Sequence, residues 1–429
     1  MISKELCSTY ESILIEELQP AMGCTEPIAI AYASAILRTL LESDPDSIEI
    51  ALSGNIIKNV KSVIVPATGG LHGIEAAVAA GIISARPDKR LELLSVLTED
   101  DRIRLRSYLK KCPISVSELN TSCTFDLLIS GQANGHTARV QITGFHTNLI
   151  LAERDGINLT ADYLSPDEQK KSTKNDANRS LLNVESIVAF AEEADLTRLR
   201  PYLCRQIEMN MAIAREGLKN EYGASIGRLL YRDGNVSIKD KARAYAAAGS
   251  DARMSGCEFP VCILSESGNQ GITASVPVIV YAEEHGIDED TLLRALIVSD
   301  LVTVHQKTGI GCLSAYCGAI SAGCGCGAGI CYLAGGRFYE IAHTLVNAVA
   351  ILSGTICDGA KPSCAAKIAM AVEAGFMGFE MAMSGRQFYG GDGIVTKGVE
   401  NTIRNVGHLA RDGMGETDKE IIKIMLGKG

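Results

Sequence analysis

Apolar residues change their spacing along this chain, and that change limits what it can fold into. Ile48, Ile50 and Leu52 alternate with Glu49 and Ala51, the period of a strand with one buried face. The same spacing gives strands over 114–119, 124–130, 136–143 and 148–154, and Asn134-Gly135 is a tight hairpin turn. The glycine-rich turn Gly69-Gly70-Leu71-His72-Gly73 leads into a small-residue helix over 74–84, and 99–111 reads as an exposed helix. Residues 47–164 are therefore expected to form an α+β domain, a largely antiparallel α/β sandwich. Beyond Leu181 nearly every segment has helical spacing, ending in 419–426, so 181–429 is expected to be a large, mainly α-helical domain. The polar run DEQKKSTKNDANR within 165–179 is the expected linker. Two helices, over 4–18 and after Cys24 as far as Leu41, make up a region 1–46 expected to pack on the helical domain. Thr25 is read as the N-cap of the second, with Glu26 and Pro27 in its first turn.

Charge and cysteine usage narrow the function classes. A net charge of −10 argues against nucleic acid or an anionic membrane as the main partner and leaves a small molecule as the natural one. The N-terminus has acids within its apolar stripe and no signal-peptide core. Residues 341–357 are apolar enough to suggest a membrane span, but His343, Thr344 and Asn347 interrupt them and Asp358 follows, so a buried helix is expected. A cytoplasmic location is expected, and in a reducing compartment 14 cysteines do not imply disulfides. Most are expected to be small buried hydrophobes, while a metal site needs only three or four.

Chemistry concentrates in a few places. The stretch 309–336 holds Cys312, Cys317, Cys324, Cys326 and Cys331 among glycines and alanines. Glycines let backbone amides approach cluster sulfurs, yet small residues also serve tight helix packing, and spacing does not choose between these. Cys357 and Cys364 bracket a turn containing Gly359 and Pro362, with Cys357 ending one helix and Cys364 in the first turn of the next. A thiolate, the form that ligates iron, is favoured at a helix N-terminus. Cys24 is presented at a helix N-terminus by the turn before it. Ser267-Gly268-Asn269-Gln270-Gly271 precedes a helix expected from Thr273, and it either grips a carboxylate there or is an ordinary turn. His72 either orients substrate or is a solvated loop residue. Asp358 either tunes a metal site or caps its turn.

The order MGCTEP, SGNQG, glycine–cysteine helix and CDGAKPSC resembles the L-cysteine desulfidase family, which is related to the catalytic chain of iron–sulfur L-serine dehydratases. The resemblance spans nearly the whole chain. It implies a 4Fe-4S cluster held by Cys317, Cys357 and Cys364, with one iron left open to substrate. It also implies a catalytic role for Cys24, and structural roles for Cys312, Cys324, Cys326 and Cys331. An open iron can act as a Lewis acid, and a Cys24 thiolate can take the α-proton of a small amino acid. Ser267, Gly268, Asn269 and His72 are the expected substrate contacts. The expected reaction converts L-cysteine and water to sulfide, pyruvate and ammonia. L-Serine dehydration with the same cluster is the nearest alternative, and a non-enzymatic iron–sulfur sensor is the alternative of another class. Pyridoxal phosphate chemistry is disfavoured, because no lysine lies in a Schiff-base context and no glycine tetrad follows. A homodimer is the default expectation for an enzyme of this kind.

Overall fold

The computed structural model describes residues 2–164, 177–232, 236–311 and 313–425. The linker segment 165–176, Cys312 and Leu426 lie outside the described residues. Helix α1 (Lys4–Glu17) is followed by strand β1 (Pro20–Met22) and helix α2 (Thr25–Leu41). The α+β part continues with β2 (Ser47–Leu52), α3 (Gly54–Val60), α4 (Ile74–Ser84), α5 (Glu99–Lys111), β3 (Ile114–Glu118), β4 (Asp126–Ala133), β5 (His136–Thr143), β6 (Leu149–Arg154) and β7 (Ile157–Asn158).

These strands form one sheet in the order β3-β2-β4-β5-β6-β7, antiparallel except for the β2–β3 pair. Alternation is visible in β2, where Ile48, Ile50 and Leu52 are buried and Glu49 is exposed. Asn134 and Gly135 turn the β4–β5 hairpin with φ of 52° and 82°, the two left-handed positions that a type I′ turn needs. The capping box expected of a charged, exposed helix closes α5, with Thr98 and Asp101 bonding reciprocally.

Helix α2 is buried almost along its whole length and packs with α4 on this sheet. At Gly81 a Cβ would lie 2.0 Å from Ala31 O, so the two backbones touch. Only α1 of the two N-terminal helices joins the helical core, through Tyr10, Ile13 and Leu14. A helix apolar on every side carries no stripe to say which core it enters, which is why residues 1–46 read as one unit in the sequence.

The rest is helical: α6 (Val184–Glu193), α7 (Leu196–Lys219), α8 (Ile226–Leu230), α9 (Ile238–Met254), α10 (Gly268–His285), α11 (Glu289–Ile310), α12 (Gly318–Leu333), α13 (Phe338–Leu352), α14 (Cys364–Met383), α15 (Val399–His408) and α16 (Gly415–Met425). Strand β8 (Pro260–Cys262) pairs antiparallel with β1. Helix α12 is the centre of this core. A Cβ at Gly325 would lie 2.1 Å from Thr303 Oγ1 on α11, and one at Gly323 would lie 2.4 Å from Ala371 O on α14. Those glycines allow helix backbones to approach closely, and Cys324, Cys326 and Cys331 are buried in the same packing.

The expected buried helix over 341–357 is α13, which buries Thr344 and Asn347 and stops at Leu352. Cys357 therefore lies in the loop beyond the helix and does not end it. Among the described residues no helix is long and apolar enough to cross a membrane.

Candidate active site

Four helix N-termini converge on one cavity of about 120 Å³. Cys24 is the N-cap of α2, Ser267 the N-cap of α10 and Cys317 the N-cap of α12, while Cys364 is the first residue of α14. Thr25, read from the sequence as a cap, is instead the first helical residue, and its hydroxyl donates to Glu266 O at 2.9 Å. Helix α10 begins at Gly268, five residues before the expected start at Thr273, because Ser267 Oγ accepts the amide of Gln270 and caps it there. Each N-terminus presents unsatisfied amides and a partial positive charge, so the cavity favours anionic groups.

Cys317, Cys357 and Cys364 all line this cavity. Backbone pairing fixes the first two: Cys317 N donates to Thr355 O at 2.9 Å and Cys357 N to Ala315 O at 2.6 Å. Gly359, with φ of 95°, turns the chain toward α14, and a Cβ there would lie 2.5 Å from Lys58 O. Lys58, itself buried and ion-paired with Asp418 on α16, donates to Cys357 O at 3.3 Å. Asp358 accepts from Lys361 and, at 2.7 Å, from Lys367. Burial works against its ionisation, but the two lysines hold its carboxyl down at about 2. Asp358 thus ties the turn between the two cysteines.

Cys24 is buried beside Cys364, with Met254 and Val63 around it. Burial pushes its thiol up to about 12 against the pull of the Arg253 guanidinium. Burial, with Cys357 nearby, likewise pushes Cys317 up to about 12, and burial raises Cys364. Burial thus opposes the lowering of these thiols that a helix N-terminus favours.

Of the expected substrate contacts, Ser267 and Asn269 line the cavity. Gly268 acts at one remove, since a Cβ there would lie 2.3 Å from Arg253 Nε. His72 is not part of the cavity: it is exposed, its Nδ1 lies 3.4 Å from Gly70 O, and it pairs with Ile64 in an isolated bridge. The cavity's histidine is His146, carried by the turn between β5 and β6 and only 4 % exposed. Its Nδ1 faces Glu266 Oε2 at 3.7 Å, and its ring lies 4.6 Å from that of Phe125. Burial disfavours the charged ring, and Glu266 more than offsets this, so its pKa is raised.

The sequence reading missed Arg253 and Asn59, which lie in ordinary helical patterns with no local motif to mark them, and gave no site role of their own to Glu26 and Gln270 inside the MGCTEP and SGNQG motifs. Asn59 Oδ1, His146 Nε2, Ser265 Oγ, Asn269 Oδ1 and Gln270 Oε1 are buried without a hydrogen-bond partner, and all five residues line the cavity. Native proteins satisfy nearly all such atoms, so this concentration marks a polar ligand's site. Ser265 and Glu266 also hold φ of 46° and 62°, a strained pair of non-glycine residues at the cavity wall.

The donor set suits an iron–sulfur cluster: three thiols on short, backbone-pinned loops, with helix amides around them. Among the described residues no three side chains of His, Cys, Asp or Glu are grouped to hold a single metal ion. A four-iron cluster asks for something else, since each of its thiolates sits on a different iron. No disulfide joins the described cysteines.

Known proteins are similar to this chain over most of its length. The family model described as serine dehydratase alpha chain matches residues 88–423. A UPF0597 protein of Desulfitobacterium hafniense is 51% identical, over 97% of this chain and 96% of that protein. UPF0597 proteins of Treponema denticola and Lachnoclostridium phytofermentans are 44% and 45% identical, over 99% and 96% of this chain and 99% and 98% of theirs. The match runs from α5 through the cysteine loops to α16, and on it the chain belongs to the serine dehydratase alpha chain family, which implies a lyase-type enzyme.

Proposed function

We propose that this chain is an iron–sulfur-dependent β-eliminating lyase acting on L-cysteine to give sulfide, pyruvate and ammonia. The observation that carries the reading is the convergence of three thiols, four helix N-termini and five unpartnered polar atoms on one cavity. Cys317, Cys357 and Cys364 would hold a 4Fe-4S cluster, whose iron without a protein thiolate supplies Lewis acidity toward the leaving group.

The chain's own residues account for the rest. Ser267 and Asn269 sit at the mouth of α10, where the helix terminus and side-chain groups would bind polar substrate atoms. Cys24 is the proposed acceptor of the α-proton. The Cα–H bond breaks with its electron pair passing into a Cα=Cβ bond, and the Cβ–S bond breaks with its pair leaving on sulfur. The 2-aminoacrylate that remains is hydrolysed to pyruvate and ammonia. For Cys24 to accept a proton its thiol must first ionise, which Arg253 favours and burial opposes.

A second reading, dehydration of L-serine at the same site, is favoured by the name of the matching family. Only the leaving atom differs between the two. A soft thiolate is the better ligand for iron, which leans toward cysteine. A reducing compartment such as the cytoplasm is part of this proposal, since the ligand thiols would stay reduced there.

The test is anaerobic purification, then assay of iron, acid-labile sulfide and turnover. About four irons and four sulfides per chain, with sulfide released from L-cysteine faster than pyruvate is formed from L-serine, is the expected result. Faster turnover of L-serine selects the second reading. A loaded cluster that turns over neither substrate would make the protein a binding or sensing module.

A further inference from the structure

Among the described residues, two charged side chains that line the cavity, Arg253 and Glu26, have no ion-pair partner. Arg253 on α9 is 4 % exposed and spends its Nε on Gly23 O at 3.0 Å. Among the described residues its terminal nitrogens have no hydrogen-bond partner, and no carboxylate pairs with it. The missing side chain at Gly268 lets the guanidinium lie against the first turn of α10, since a Cβ there would come within 2.8 Å of Arg253 Cζ. Glu26, in the first turn of α2, accepts from Asn59 Nδ2 at 2.9 Å and from Thr25 Oγ1 at 3.2 Å, and no cation among the described residues pairs with it. The cavity's other carboxylate, Glu266, faces His146.

A buried guanidinium left without an anion is strongly unfavourable, and so is a half-buried carboxylate without a cation. Arg253 and Glu26 line one cavity, yet they do not neutralise each other. Cys24 lies between Arg253's backbone anchor, Gly23, and Glu26. The carbonyl of Gly23, its neighbour, fixes Arg253, and Glu26 follows two residues later. Both charges act on the Cys24 thiol, in opposite directions.

We infer that Arg253 and Glu26 receive the two ends of an α-amino acid zwitterion, Arg253 the α-carboxylate and Glu26 the α-ammonium. An amino acid held by both ends presents its α-carbon between them, in the cavity that Cys24 also lines. The pair therefore sets specificity for α-amino acids, excluding amines and plain acids with the same β-substituent. The inference rests on reading this cavity as the amino-acid site, and it does not depend on which β-group leaves.

The test uses the full chain without metal, titrated calorimetrically with L-serine, with ethanolamine (which lacks the carboxylate) and with 3-hydroxypropionate (which lacks the ammonium). The wild type is expected to bind L-serine about tenfold or more tighter than either fragment, the scale of one charge-assisted pair. Arg253→Gln should weaken L-serine and 3-hydroxypropionate by about tenfold or more and leave ethanolamine within about twofold, with Arg253→Lys recovering part of the loss. Glu26→Gln should show the converse, weakening L-serine and ethanolamine. The inference is overturned if the wild type binds none of the three or does not discriminate among them, or if Arg253→Gln weakens all three alike. The cluster-loaded enzyme, assayed in parallel, separates the two readings. Selective zwitterion binding without sulfide or pyruvate release sinks the lyase and spares this inference. Lyase turnover in which Arg253→Gln leaves KM unchanged sinks this inference alone.

Discussion

Cys317 and Cys324 are about two helical turns apart, and the fold gives them opposite roles. Cys317 caps α12 and faces the cavity, with its backbone paired to the Cys357 loop. Cys324, Cys326 and Cys331 are further along the same helix and are buried in contact with the helical core. Composition treats all four alike. What separates them is whether the residue sits where the helix amides are still unsatisfied or where they are already bonded within the helix. A cysteine-rich helix is therefore two things joined end to end, a binding terminus and a packing shaft.

The sharpest way to break this comparison is to remove one thiol from each part. Cys364→Ser should abolish cluster retention, with iron falling from about four per chain toward none, while Cys324→Ala should leave iron content unchanged. Iron loss from Cys324→Ala would erase the distinction. Next in size, Cys24→Ser should retain iron but lower turnover by about a hundredfold or more, the usual scale for a lost proton-transfer group. Unchanged turnover there would remove Cys24 from the chemistry. On the packing side, Gly325→Ala places a methyl 2.1 Å from Thr303 Oγ1 and 2.6 Å from Ser299 O. It should destabilise the fold by about 1–3 kcal/mol, read as a lower denaturation midpoint, with iron stoichiometry preserved in the protein that folds.

The smallest effect concerns a buried acid in the same core. Asp300 on α11 accepts Gln206 Nε2 on its Oδ1 at 2.9 Å and has no partner for Oδ2. Burial pushes its carboxyl up to about 7. A raised carboxyl favours the folded state below the unfolded pKa of roughly 4 and loses that contribution as pH rises toward about 7. Asp300→Asn should flatten this slope, so that the Tm difference between variant and wild type grows in the variant's favour from pH 4 to pH 7. A difference independent of pH would show that the carboxyl does not titrate in that window.

Legibility in the sequence followed periodicity and failed where periodicity is silent. The sheet was readable because β2 and β5 alternate and Asn134-Gly135 is specific for its turn. The cysteine positions that line the cavity were readable only through the resemblance, since spacing alone fits no known ligand run. The destination of α2 was hidden because it is apolar all round. The choice of His72 over His146 failed because a histidine flanked by glycines looks presented, whereas His146 is brought to the cavity only when the β5–β6 turn folds against α10. Arg253 gave no signal at all: its importance lies in a partner that is missing, and a sequence shows residues but not their vacancies. Helix starts erred by a residue or a turn at Thr25 and Thr273, because Cys24 and Ser267 already occupy the capping geometry.

The separation of α1 from α2 has a consequence for synthesis. Tyr10 and Ile13 are buried against the helical core, yet the chain makes the whole sheet before it makes α6, α7 and α11. Helix α11 emerges roughly 280 residues after α1, which at roughly 5–20 residues per second is between about fifteen seconds and a minute. Within that interval α6 brings Phe190 to Tyr10, ring centroids 5.5 Å apart, so α1 is covered in stages, while α2 can already close on the sheet. The apolar face of α1 is therefore completed only late in synthesis, whereas α2 closes on elements made soon after it.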